Sequence, residues 1–174
     1  TGAGRYADSL FACSQMTPNI QYGTGLWDWS WTNLLCLNVQ LPPYQTRLPL
    51  KADFYEPCGD TASCRPLLIA IHGGAWAGGD KSDLAVFGDF FAKKGYAVAS
   101  INYRLSIPNN PLCFDVDADS IRMLRAAFRA IQDAKAAVRF FRAHAAEYRI
   151  DPENIFAVGV SAGAFTALGV GYLN

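Results

Sequence analysis

Asn154-Ile-Phe-Ala-Val-Gly-Val160-Ser161-Ala162-Gly163 is the stretch that decides how this chain folds. Its first half is a short apolar run, which reads as a strand buried on both faces. Glycines then bracket a single serine, and the small residues from Ala162 onward are compatible with a helix. A serine at so tight a strand-to-helix turn is forced into a strained backbone conformation, so its neighbours must be small. In return its Oγ stands clear of the chain at the carboxyl edge of a sheet, close to the N–H groups that open the helix. The plain alternative is an ordinary glycine-bounded turn within a βα unit.

Upstream, Pro66 introduces a second continuous apolar run, Leu67-Leu-Ile-Ala-Ile71, followed at once by His72-Gly-Gly-Ala-Trp-Ala-Gly-Gly79. A glycine pair lets the chain fold back so that backbone N–H groups, here those of Gly74 and Ala75, point into a cavity. Together with the N–H of Ala162 they form a candidate site for a developing oxyanion. A phosphate-binding loop is the competing reading, but neither GxGxxG nor GxxxxGK[ST] is present. Residues 84–94 read as a short helix ended by Gly95, and Tyr96-Ala-Val-Ala-Ser-Ile101 as another buried strand. From residue 119 to about 148, Ile121, Leu124, Phe128, Ile131, Val138, Phe141, Ala145 and Tyr148 recur at helical spacing, with a candidate break near Ala130. Strands alternating with helices imply a parallel sheet covered on both faces.

Residues 46–174 therefore form the sheet core, up to the serine turn and the helix after it. Arg47 to Tyr55 partly alternates and stops at Glu56-Pro57, as an edge strand would. Residues 1–45, with Pro18, Pro42, Pro43 and Trp27-Asp-Trp-Ser-Trp31, read as an irregular cover or lid segment. The three tryptophans line an acyl or aromatic pocket, form a lid, or make a hydrophobic patch over the core, and the last reading is preferred.

The chain of 174 residues is 51% hydrophobic and 17% charged, enough to bury a substantial core. Fifteen basic residues balance fifteen acidic ones. That excludes the electrostatic footprint of a nucleic-acid binder and of a protein held to anionic membrane. Residues 155–173 carry no charge, but four glycines, Ser161 and Thr166 mark them as core and not a membrane span. Cys58 and Cys64 bracket a polar loop whose closure by a disulfide would stabilise the fold by roughly 2 kcal/mol. Cys13 and Cys36 are a second candidate pair, which leaves Cys113 over. Asp115, Asp117 and Asp119 begin like a calcium loop, but Ser120 and Ala126 replace the required Gly and Glu. Helix capping by Asp117 or Asp119 is the better account. No metal or organic cofactor is called for.

HGGAW, then Asn-Tyr-Arg-Leu, then Gln132-Asp-Ala-Lys-Ala-Ala-Val-Arg-Phe, then Ile150-Asp-Pro-Glu-Asn-Ile-Phe and GVSAG follow in order. This series resembles the carboxylesterase/lipase branch of the α/β-hydrolase family. It is most similar to secreted bacterial esterases of the hormone-sensitive-lipase and feruloyl-esterase-like groups. The resemblance implies an α/β-hydrolase fold and hydrolysis of a small-molecule carboxylic ester through an acyl-enzyme. Ser161 would be the nucleophile, and the N–H groups of Gly74, Ala75 and Ala162 the oxyanion hole. His72 and Gly73 would support that loop. It also implies a secreted or periplasmic location. The triad order in this family is Ser, then Asp or Glu, then His. Since only thirteen residues follow Ser161, the expectation is that this is the amino-terminal part of one hydrolase domain. Acid and base would come from a carboxy-terminal portion, as a second chain or a missing segment. His144, late in the long helix, reads as a surface histidine and not as the base. An amidase or peptidase on the same constellation, and a non-catalytic binding module of the same fold, are the alternatives.

Overall fold

A computed structural model describes residues 4–28, 45–105 and 116–173. Five strands form one mixed sheet in the order β1-β2-β4-β3-β5. These are β1 (Ser14–Asp28), β2 (Gln45–Pro57), β3 (Arg65–Ile71), β4 (Ala97–Ile101) and β5 (Ile150–Gly159). β2 runs antiparallel to both β1 and β4, whereas β3 is parallel to β4 on one side and to β5 on the other. The parallel half is the part that carries the glycine loop and the serine turn. Three helices cover the sheet: α1 (Ala85–Lys93), α2 (Val116–Ala143) and α3 (Ala162–Tyr172).

β3 and β4 are apolar on both faces because both faces are covered. Leu67, Ile69, Ile71, Ala99 and Ile101 pack with Phe54 against Ala126, Ala130, Ala134, Ala137 and Phe141 of α2. Leu68, Ala70 and Val98 face the other way, toward Ala92 on α1 and its neighbours Phe87 and Phe91. The alanines of α2 recur every three or four residues, so one stripe of the helix has little side chain and lies close on the sheet. α2 is continuous through Ala130, so the break expected there is absent. Buried alanines on the same stripe before and after that point leave nothing to interrupt it.

The amino-terminal segment corrects the sequence reading. Residues 14–28, expected to be irregular, form a long edge strand, and β2, expected at the edge, is thereby an inner strand. The signal was weak for a physical reason. Only Tyr22 and Gly25 are buried among residues 14–26, so there is no apolar alternation to read. Pro18 falls where the β1–β2 register shifts between Thr17 and Ile20, a place where a ladder tolerates proline.

The disulfide pattern is corrected by the same strand. Ser14 pairs with Pro57, and the Cys58 N–H donates to the Cys13 carbonyl at 3.0 Å. The ladder thus lays Cys13 beside Cys58, and these two are bonded, not Cys58 with Cys64 or Cys13 with Cys36. Cys64 is free and exposed. The side chains of Trp27, Trp29, Trp31, Cys36, Cys113, Asp115, Asp117 and Asp119 lie outside the described residues. Residues 155–173 divide between β5 and α3, and among the described residues no helix is long and apolar enough to cross a membrane.

The sequence separation of 45 residues between Cys13 and Cys58 makes this a large loop closure. Replacing Cys58 by Ser should lower the unfolding free energy by about 2–4 kcal/mol on the loop-entropy account, read from urea melts. Cys64→Ser should stay within about 0.5 kcal/mol of the parent. Equal losses in the two variants would mean that Cys58 pairs with Cys64 instead.

Candidate active site

Ser161 sits at the junction of β5 and α3 with φ 54° and ψ −121°, a conformation that L residues rarely adopt. It is exposed, and its side chain makes no hydrogen bond among the described residues. Its surroundings explain why a serine there needs the glycines on either side. A Cβ on Gly159 would collide with the Gly163 backbone, and one on Gly163 would collide with the carbonyl oxygens of Ile71 and His72. The helix thus starts in backbone-to-backbone contact with the end of β3. The Val160 N–H donates to the Ile71 carbonyl at 3.2 Å, which fixes the turn to that strand.

The glycine loop follows directly from β3 and abuts the turn. A Cβ on Gly73 would lie 3.0 Å from the Val160 oxygen and 3.3 Å from the Ser161 Cβ. Gly74 has φ 103°, and Ala75 and Trp76 follow at φ 51° and 57°. Three successive residues in the left-handed region turn the chain sharply, and the Ala77 and Gly78 N–H groups both bond to the Gly74 carbonyl. The N–H groups of Gly74, Ala75 and Ala162 carry no hydrogen bond among the described residues. That of Ala162 is the first of α3, where no intrahelical acceptor exists.

His72 is buried beneath this loop. Its Nδ1 lies 2.8 Å from the Gly73 carbonyl, so Nδ1 carries the proton and donates. Its ring stacks on Tyr103 at 4.4 Å between centroids. Burial holds the His72 pKa below the ordinary imidazole value, with the Gly73 bond and the charges of Asp83 and Asp80 acting in the opposite direction. The Tyr103 hydroxyl donates to the carbonyls of His72 (3.0 Å) and Gly73 (3.2 Å). Burial pushes its pKa up to about 12, so it stays a donor throughout the neutral range. Beyond the loop, Asp80 caps the 3-10 turn Lys81–Leu84 through Ser82 and accepts from the Asn102 amide at 2.7 Å. Burial alone would raise the Asp80 pKa, but these bonds bring it to about 2.

The structure therefore brings together His72, Gly73, Gly74, Ala75, Ser161 and Ala162, the residues singled out in the sequence. His144 stands apart. It is exposed, stacks on Phe140 and is bonded to that residue's carbonyl. It also precedes β5, so it lies at the opposite end of that strand from Ser161. Sequence reasoning missed Tyr103 and the bond of the Trp76 indole to Thr166 (3.1 Å), because both depend on contacts across elements. Arg104 and Asp133 are one another's partners. Arg104 is held by Nε and Nη2 to Asp133 and reaches the Leu26 carbonyl through Nη1.

The BD-FAE family profile matches residues 52–174. The chain belongs to the BD-FAE family. BD-FAE proteins are α/β-hydrolase esterases, and the relatives of this chain agree. A probable isoprenylcysteine alpha-carbonyl methylesterase of Oryza sativa subsp. japonica is 32% identical over 117 residues, covering 67% of this chain and 24% of that protein. A butyrate-bound esterase of Thermogutta terrifontis superposes with a TM-score of 0.55 at 27% identity, over 83% of this chain and 44% of that one. The same esterase phosphorylated by paraoxon gives 0.56 at 26% identity, over 84% and 46%. A bacterial heroin esterase gives 0.55 at 28% identity, over 87% of this chain and 40% of its own. The chain thus spans about a quarter of that curated relative and under half of these solved esterases.

A buried neutral His72 ties stability to pH. Unfolded, the ring takes up a proton near pH 6.5, whereas folded His72 resists it to lower pH. Its contribution is therefore complete above about pH 6.5 and is lost as pH falls toward the lower folded value. Urea melts between pH 7.5 and 5 should show stability falling with pH, and His72→Asn should flatten that slope. An unchanged slope in the variant would remove the buried-imidazole account.

Proposed function

We propose that this chain carries the nucleophile and the oxyanion site of a serine carboxylic-ester hydrolase. The observation that carries the reading is the exposed Ser161 at φ 54°, ψ −121°, set against Gly73 at the head of a loop whose Gly74 and Ala75 amides carry no hydrogen bond among the described residues. Strain of this kind, costing on the order of 1–3 kcal/mol, persists where surrounding structure holds it, and it clusters at active sites. In the proposed reaction the Ser161 Oγ attacks the ester carbonyl carbon and its proton passes to a base. The carbonyl oxygen becomes an oxyanion held by the N–H groups of Gly74, Ala75 and Ala162. Collapse expels the alcohol, which takes the proton, and leaves an acyl-enzyme that water hydrolyses to free acid. The paraoxon-phosphorylated Thermogutta esterase supports a covalent route on this fold. The esterase relatives support a small ester as substrate.

Neither described histidine bonds to Ser161, since His72 is engaged with Gly73 and His144 with Phe140. The acid and base are proposed to come from a carboxy-terminal portion of the same hydrolase. β5 pairs on one side only among the described residues, and Phe156 on it is half exposed. A groove of about 880 Å³ runs along it, lined by Phe156, Val158, Leu168 and Tyr172 with Arg139 and Arg142. A sheet continuing past β5 would cover both. The Cys13–Cys58 disulfide supports a secreted or periplasmic location.

In the complete protein a fluorophosphonate should add to Ser161, read by intact mass and peptide mapping. Ser161→Ala should abolish the adduct and lower kcat on p-nitrophenyl butyrate by at least about 10³-fold. A folded protein that takes up no label would instead be a non-catalytic module of this fold. Faster turnover of the matching anilide than of the ester would make it an amidase.

A further inference from the structure

Ala75 and Trp76 are adjacent, both non-glycine, and both held in the left-handed region at φ 51° and 57°. Such a pair relaxes unless something outside the loop fixes it. Within the loop, the bonds to the Gly74 carbonyl close a turn but anchor it to nothing else. Tyr103 holds only the base of the loop, at His72 and Gly73. From residues 74–79, one hydrogen bond reaches α3 among the described residues, that of the Trp76 indole Nε1–H to Thr166 Oγ1 at 3.1 Å. Both ends are buried, with Trp76 at 9% exposure and Thr166 at 0%. The Thr166 hydroxyl then spends its own proton on the Ala162 carbonyl at 2.9 Å.

The result is a two-bond relay, indole N–H to hydroxyl oxygen, then hydroxyl proton to carbonyl. It spans from the residue after Ala75 to the residue after Ser161. Those are the two elements whose amides must converge on one oxygen if the proposed oxyanion site is to work. Amides on a loop and on a helix are useful only if their separation is already set when charge develops. We propose that Thr166 is a positioning residue, whose hydroxyl sets the distance and direction of the Ala75 amide relative to that of Ala162. The inference rests on the ester-hydrolase reading. A valine would fill nearly the same space, so packing alone does not call for the hydroxyl.

The test measures kcat and KM on p-nitrophenyl butyrate, and fluorophosphonate uptake, in the complete protein. Thr166→Val and Trp76→Phe should each lower kcat on the order of tenfold, with KM within about twofold, because only the developing oxyanion needs the converged amides. The double variant should be no worse than the poorer single, since both break one relay. Thr166→Ser, which keeps the hydroxyl, should return to within about twofold of the parent. If Thr166→Val does not accumulate as folded protein, Trp76→Phe carries the comparison. Parent-like kcat in Thr166→Val, multiplicative loss in the double variant, or a Thr166→Ser as impaired as the valine would overturn the relay alone. A parent protein that neither turns over ester nor takes up label would overturn the hydrolase reading and the relay with it.

Discussion

The closeness of three pieces of backbone governs this structure. At the end of β3 the carbonyls of Ile71 and His72 lie where a side chain on Gly163 would have to go, and the backbone of Gly163 lies where a side chain on Gly159 would have to go. No side chain separates strand, turn and helix there. Interiors are packed as tightly as organic crystals, so such a junction has a single arrangement and not a family of nearby ones. Ser161 inherits its position from that junction. Its unusual backbone angles follow from joining a strand to a helix with no slack, and its outward hydroxyl follows from those angles.

Around this rigid point the second half of the site is assembled by polar groups, each of which has its partner. His72 is kept neutral by burial and placed by Tyr103, which stays protonated for the same reason. Desolvation, which would be a cost for charges, here secures two neutral hydrogen-bond donors. Asp80 is the counterexample. It keeps its charge because Asn102 and Ser82 supply donors, and it ties the far end of the loop back to the residue after β4. Loop ends are thus fixed to the sheet through His72 and Asn102, while the middle is fixed to α3 through Trp76.

Much of this was legible in the sequence where the signal was local. Apolar runs over 67–71, 96–101 and 155–160 mark strands covered on both faces, and β3 and β4 are so covered. Gly159 and Gly163 announce a turn that only small residues tolerate, and the collisions at those positions bear out that need. β1 was illegible because, among residues 14–26, only Tyr22 and Gly25 are buried, so no apolar alternation marks it, and Pro18 argued against it. With β1 went the cysteine pairing. Cys13 and Cys58 meet only through a ladder between segments far apart in the chain, whereas Cys58 and Cys64 looked paired merely because they are near in sequence. Contacts such as Trp76 with Thr166 share that property, since nothing local in either residue names the other.

The amino-terminal strand also bears on the site in a way that its exposure disguises. Its end at Leu26 accepts from Arg104, and a side chain on Gly25 would collide with that guanidinium. Arg104 in turn is clamped to Asp133 on α2 through Nε and Nη2, with its backbone N–H on the same carboxylate. Arg104 directly follows Tyr103, the residue that holds the glycine loop. A half-buried guanidinium with a forked carboxylate partner is directional in a way that apolar packing is not. It fixes the heading of the chain as it leaves β4, and therefore where the Tyr103 ring lies beneath His72. The disulfide at one end of β1 and Arg104 near the other tie that strand to the rest of the sheet, and Arg104 is the chain neighbour of the tyrosine that bonds the loop.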